Sequence, residues 1–144
     1  MPLSKKEIEA FLKGPNIAVV ATVTPDGSPH AVPTWYEYDE GDIVLHMGPN
    51  SRRYGNMKRN DRVTVCIDAR MPPYKAVIIK GRARMEEAAY QGTHAERMRR
   101  MAVHYLGEVA GNQYADSIEG QPTVIARVTP GRVTSWDYGR RDDP

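Results

Sequence analysis

The stretch PDGSPHAVPTWYEYDEGDIVLHMGPNSRRYGNMKRNDRVTVCID, residues 25–68, alternates short apolar runs with turn signals, and that rhythm decides the fold class. Asp26-Gly27 is a hairpin dipeptide, because glycine accepts the positive φ that tight turns require. Just upstream, IAVVATVT at 17–24 is too short for a buried helix and rich in β-branched side chains, so it reads as a strand. Downstream, 30–38 alternates Val32, Thr34 and Tyr36 with Pro33 and Trp35 and reads as the returning strand. It breaks at Asp39-Glu40-Gly41-Asp42 before a third strand at 43–47, and the three are expected to form an antiparallel meander. Pro33 has no N–H to give to a ladder, so its backbone belongs at an edge, a bulge or a ligand-facing gap.

Outward from this stretch the same logic continues. After Gly48-Pro49-Asn50 the chain turns polar and basic through 51–60, with Tyr54 and Met57 on one side, which predicts a short helix capped by Ser51 or Asn50. Strand-like runs follow at 62–68 and 75–85, separated by Pro72-Pro73, and at 123–128 and 132–138. Seven short strands imply a barrel. Ser4 with Glu7 forms a capping box, Ile8, Phe11 and Leu12 share a helical face, and Gly14-Pro15 supplies a stop, so a short helix opens the chain. Between 86 and 119 the period becomes helical: Met98, Met101, Ala102, Tyr105 and Leu106 form an apolar stripe read as core, with Arg97, Arg99 and Arg100 mostly opposite. Residues 140–144 read as a polar tail. The expected architecture is one domain over 1–144, mainly β with flanking helices.

Composition narrows the chemistry. A chain of 144 residues can close a core without disulfides or metals. Cys66 is the lone cysteine and sits in VTVCI, where a thiol is expected to fill core space. No apolar run approaches the roughly 20 residues of a membrane helix and no secretory leader is visible, so the expectation is a cytoplasmic protein without a membrane partner. Lys plus Arg number 20 against 18 for Asp plus Glu, a surplus too small to suggest nucleic-acid binding. His30, His46, His94 and His104 are scattered and no HExxH or CxxC spacing occurs, so no metal site is expected, and nothing marks Cys66 as an activated nucleophile.

One local cluster does carry chemistry. Asn50-Ser51-Arg52-Arg53 brings an amide, a hydroxyl, two guanidinium groups and the free N–H groups of a helix start to one place, which suits a phosphate monoester. By spacing alone, Arg52, Arg53, Lys58 and Arg59 equally describe a solvated helix face.

The order of these parts tips the balance. A DG hairpin, a Pro-x-Trp strand, an acidic turn, a strand, then Ser-Arg-Arg followed by Asn-Met and Asp-Arg-Val resembles the pyridoxamine 5′-phosphate oxidase-like superfamily of FMN-binding split barrels. The likeness is greatest to its branch of oxidoreductases dependent on the deazaflavin coenzyme F420. YKAVIIKGRA at 74–83 is similar to the next strand of that family. The likeness runs from 17 to about 85, is loose around Trp136, and leaves the helical insert undiagnosed.

The resemblance implies an antiparallel split β-barrel of six to seven strands that works as a homodimer, with FMN or coenzyme F420 as cofactor and a small conjugated molecule as substrate. It implies that Ser51, Arg52 and Arg53 hold the cofactor phosphate with Asn50, and that Asn56 braces that loop. It implies that Val32, Pro33, Thr34, Trp35, His46 and Met47 lie along the ring system. Ala76 and Trp136 would approach the ring, from the neighbouring subunit if the dimer is formed. Trp35, Tyr36, Tyr74 and Trp136 are candidate walls, and Lys58 with Arg59 could meet the oligoglutamate tail of the deazaflavin. Ala31 stands where the oxidases proper carry a phosphate-binding arginine, which argues against oxidation of pyridoxamine phosphate itself. No catalytic side chain is required, because the cofactor carries the hydride. Two rival readings are a flavin or tetrapyrrole carrier on the same barrel and a barrel without any cofactor.

Overall fold

In the computed structural model, residues 2–86 and 93–140 are described. The expected tail beyond Arg140, the segment 87–92 and the side chain of His94 lie outside them. Helix α1 (Lys5–Leu12) starts as its capping box dictates: Ser4 Oγ accepts from the Glu7 amide at 3.2 Å and Glu7 Oε1 accepts from the Ser4 amide at 3.1 Å. Its apolar side, Ile8, Phe11 and Leu12, packs on the core.

The strands are β1 (Ile17–Val23), β2 (Pro29–Thr34), β3 (Glu37–Asp39), β4 (Asp42–Met47), β5 (Arg62–Asp68), β6 (Lys75–Glu86) and β7 (Val124–Asp137). They form one seven-stranded antiparallel sheet in the order β2-β1-β5-β6-β7-β4-β3. The two edges, β2 and β3, are joined by Trp35 and Tyr36 alone. Three Cα steps span at most about 11 Å, so the sheet must curl until the end of β2 lies near the start of β3, giving a half-barrel. Val20, Val65, Val77, Leu45, Ile125 and Val128 are fully buried, and the core cluster fills the inside of that curl.

The number of strands matches the sequence reading, but through two corrections that cancel. The expected strand 30–38 is two strands. β2 pairs with β1 and β3 pairs with β4, while β2 and β4 do not pair, so the expected meander is broken at its middle. The cause is Tyr36, only 3 % exposed, whose hydroxyl donates to Leu12 O at 2.7 Å while its backbone N–H donates to the Tyr105 hydroxyl at 3.2 Å. These contacts draw the chain across from one edge to the other. In compensation, the expected strands 123–128 and 132–138 are a single β7, with a register shift opposite Lys80 and Gly81. There Pro130-Gly131 makes a bulge instead of a turn, and a Cβ on Gly81 would lie 2.2 Å from Thr129 O, so this crossing requires glycine.

Two further expectations change. Cys66 does not fill the core: Val63, Val65 and Ile67 take the inward positions of β5, and the strand's alternation puts Cys66 on the outer face opposite Val19. The helical insert folds as α3 (Thr93–Leu106) and α4 (Glu108–Ser117). Met98, Met101 and Ala102 are buried, but Leu106, expected in the stripe, is 44 % exposed at the helix end. The two helices approach so closely that a Cβ on Gly111 would lie 2.4 Å from Val103 Cα.

Candidate functional site

Helix α2 (Arg52–Arg59) begins where expected, with Ser51 as N-cap in extended conformation. The Ser51 hydroxyl makes no cap: it donates to Gly48 O at 2.8 Å, so no side chain caps the amides of the first turn. Unfilled N–H groups and the positive end of the helix dipole make such a corner receptive to an anion. Arg53 stands beside it, half-buried. One guanidinium nitrogen donates to His46 O at 3.4 Å, while Nε is enclosed and has no partner. Burial without a countercharge pushes its pKa down, the direction expected for a cation held away from water. Arg52 and Asn50 are exposed on the rim.

Thr34, Trp35, His46, Met47 and Arg53 come together in one cleft of about 420 Å³, a size typical of small-molecule sites. Trp35 lies flat on Tyr105, with ring centroids 4.9 Å apart and planes within 6°, and meets Tyr114 edge-on at 5.3 Å. The far wall is the helical insert: Met98, Met101, Tyr114 and Ile118. Sequence reasoning missed this wall, because a methionine stripe signals a covered face and says nothing about what opens at its edge.

The other predicted residues are placed differently. Val32 is half-buried on β2 opposite Val20, and Pro33 is exposed on the other face opposite Val19. Asn56 is buried in α2 and donates to Thr22 Oγ1 at 3.0 Å, tying the helix to β1. Lys58 and Arg59 lie in the last turn of α2: the ammonium of Lys58 sits 4.9 Å from the centre of the Tyr54 ring, and Arg59 donates to Val23 O. Ala76 and Trp136 are cross-strand partners and do not reach the first cleft. They line a second one, about 670 Å³, with Val19, Cys66, Tyr74 and Tyr138. Trp136 Nε1 is enclosed there without an acceptor, and burial, then the charge of Asp68, pushes the Cys66 thiol up. Tyr36, expected as a wall, is in the core instead, and burial raises its hydroxyl well above the usual value.

A charged recess of about 480 Å³ shares Met101 with the first cleft. His46 is 6 % exposed, and its Nε2 lies 3.3 Å from Glu37 Oε2. Burial pushes the Glu37 carboxyl up, but the bond to His46 and the charges of His46, Arg97 and Arg100 outweigh it and leave the group below the ordinary value. Arg97, expected on the solvent side of α3, turns inward to bridge Glu37 at 3.3 Å and Glu86 at 3.4 Å. Glu86 in turn meets Arg127 at 2.8 Å, and Arg127 also holds Asp39 at 2.7 Å and Asp42 at 3.3 Å. Among the described residues no group of His, Cys, Asp and Glu gathers to hold a metal ion, and no helix is long and apolar enough to cross a membrane.

With this geometry in place, the chain can be compared with known proteins. It is 39 % identical over 92 residues to a 5a,11a-dehydrotetracycline/5a,11a-dehydrooxytetracycline reductase of Streptomyces rimosus subsp. rimosus, an alignment covering 58 % of this chain and 63 % of that relative. The chain thus spans less than two thirds of the curated relative it matches. A conserved hypothetical protein from Mycobacterium tuberculosis shares the fold with a TM-score of 0.73 at 24 % identity, over 99 % of this chain and 91 % of that one. A solved structure titled F420 reductase superposes with a TM-score of 0.67 at 21 % identity, over 87 % of this chain and 94 % of that one. A family profile described as pyridoxamine 5′-phosphate oxidase matches residues 4–137, and on that match the chain belongs to the pyridoxamine 5′-phosphate oxidase family of split barrels.

Proposed function

We propose that this chain is an oxidoreductase that binds a phosphate-bearing deazaflavin or flavin, coenzyme F420 or FMN, in the cleft between β2, β4 and α3. The observation that carries this reading is Arg53: a half-buried guanidinium with no countercharge and an orphaned Nε, next to an uncapped helix start. A phosphate dianion would answer both deficits at once. The residues present therefore fit the group.

When bound, the cofactor supplies the hydride for reducing a small conjugated molecule. The chain's own residues bind and orient. Arg53 and the α2 amides would hold the phosphate, with Ser51, Arg52 and Asn50 at its rim. Thr34, His46 and Met47 would line the tricycle. Trp35, braced flat by Tyr105, offers a rigid aromatic wall, and Met98 and Met101 offer an apolar one. Similarity to a 5a,11a-dehydrotetracycline/5a,11a-dehydrooxytetracycline reductase supports a reductive direction, and likeness to an F420 reductase makes the deazaflavin the first candidate.

The same reading includes a cytoplasmic homodimer. Ala76 and Trp136 lie too far round the barrel to serve their own cleft, and the apolar second cleft around the enclosed Trp136 Nε1 would complete the site of a two-fold mate.

The test is to titrate cofactor-free protein with FMN and with coenzyme F420, following fluorescence. Arg53→Ala should weaken binding by about 1.5–3 kcal/mol, roughly 10- to 150-fold, the range for a lost charge-assisted phosphate contact. Equal affinity of the variant and the parent would leave Arg53 without a part in cofactor binding, and a strictly monomeric species by light scattering would remove the dimer.

A further inference from the structure

The polar atoms left unanswered near the first cleft include one that the phosphate does not explain. His46 Nδ1 is fully enclosed and has no partner, while the other ring nitrogen, Nε2, is engaged by Glu37. A carboxylate can only accept, so this contact requires the proton to sit on Nε2. In the neutral ring Nδ1 is then a bare acceptor in a water-poor place, a costly arrangement unless a ligand brings a donor.

We propose that Glu37 is a positioning residue: it fixes His46 as the Nε2–H tautomer, so that Nδ1 accepts a hydrogen bond from an N–H or O–H group of the molecule bound in the cleft. The idea rests on the reading of that cleft as the cofactor site. Three elements outside β4 make the arrangement rigid. Glu37 reaches from β3, and the same oxygen that meets His46 accepts from Arg97 of α3 at 3.3 Å. Arg97 is itself tied at 3.4 Å to Glu86 of β6. Arg100 adds positive charge to the recess that Glu37 lines. The helical insert thereby acts on the cleft twice, as a wall through Met98 and Met101 and as a clamp through Arg97. A ring held in one tautomer selects ligands by the polarity of a single hydrogen bond: a donor is accepted and a carbonyl at the same place is refused.

The tautomer can be read directly from imidazole nitrogen shifts in nitrogen-15-labelled, ligand-free protein, and affinity from titration with FMN and coenzyme F420. The parent should show Nε2–H. Glu37→Gln retains an oxygen that can face both His46 and Arg97, so it should keep the tautomer and stay within about threefold of parental affinity. Glu37→Met removes the acceptor and should release the tautomer, with binding weaker by about tenfold. Should Glu37→Met fail to fold, Arg97→Met, which loosens Glu37 without removing it, should show a mixed tautomer and a smaller loss. An Nδ1–H tautomer in the parent would overturn the proposal. So would parental affinity in Glu37→Met, or equal losses in the Gln and Met variants, which mark a purely structural ion pair. Failure of the parent to bind either cofactor would instead sink the cofactor reading, with the ligand-free tautomers still deciding the role of Glu37.

Discussion

Two partly buried arginines, Arg53 and Arg127, end up in opposite electrostatic states. Arg127 on β7 faces three carboxylates, Glu86, Asp39 and Asp42, from three other strands, and those bonds hold its pKa above the ordinary value. Arg53 on α2 faces none among the described residues, and burial alone drags its pKa down. Folding has answered the charge of Arg127 internally and, among the described residues, has given Arg53 no countercharge. On the proposed reading, the contrast separates a guanidinium that holds strands together from one that would bind an anion.

The largest effect should come from breaking the answered arginine. Arg127→Met leaves Asp39 and Asp42 without a cation and Glu86 with Arg97 alone, and stability should fall by about 2–4 kcal/mol in urea denaturation at neutral pH. Cofactor affinity should stay near the parental value, since Arg127 lines the recess and not the first cleft. A variant as stable as the parent would mean that the carboxylates are solvated well enough to need no partner.

A smaller effect sharpens the same contrast through pH. Glu86 is held below its ordinary value first by the bond to Arg127, against burial, and Glu37 is held low by His46 and Arg97. Because these carboxyls titrate lower when folded than when unfolded, their contribution is complete above the unfolded value of 4.5 and is lost as pH falls through the folded one. The parent should therefore lose stability as pH falls below about 4.5. In Arg127→Met that acid limb should be shallower, because Glu86 no longer has its main reason to stay ionised. Parallel limbs in the two proteins would show that Glu86 draws nothing from Arg127.

The contrast also marks what could be read in advance. The α2 corner was legible because its residues are adjacent: Asn50, Ser51, Arg52 and Arg53 advertise a helix start and a cation together. The strand rhythm from Ile17 to Asp68 was legible because period-two burial is written locally. What escaped depends on distant partners. Tyr36 breaks the second strand through Leu12 and Tyr105, which lie 24 and 69 positions away. Pro130-Gly131 reads as a turn until Gly81 supplies a strand close enough to make it a bulge. Arg97 looks solvent-facing until Glu37, 60 residues earlier, appears beside it. Periodicity gives a helix its covered side but not the neighbour that covers it, so the insert's part in the cleft was invisible.

The smallest expected change in stability is the most informative about Arg53. Arg53→Met keeps the length of the side chain, removes a cation buried without countercharge, and gives up one long contact to His46 O at 3.4 Å. Those terms oppose each other, so the ligand-free variant should unfold within about 0.5 kcal/mol of the parent, on either side. The two proteins should part when cofactor is added. Ligand at about a hundred times the parental Kd should stabilise the parent by about 2.7 kcal/mol and the variant far less, because stabilisation follows affinity. If ligand-free Arg53→Met loses as much as Arg127→Met, the two arginines do the same job and the contrast between them collapses. If it loses nothing while cofactor ceases to protect it, Arg53 is buried for the sake of an anion the chain itself does not contain.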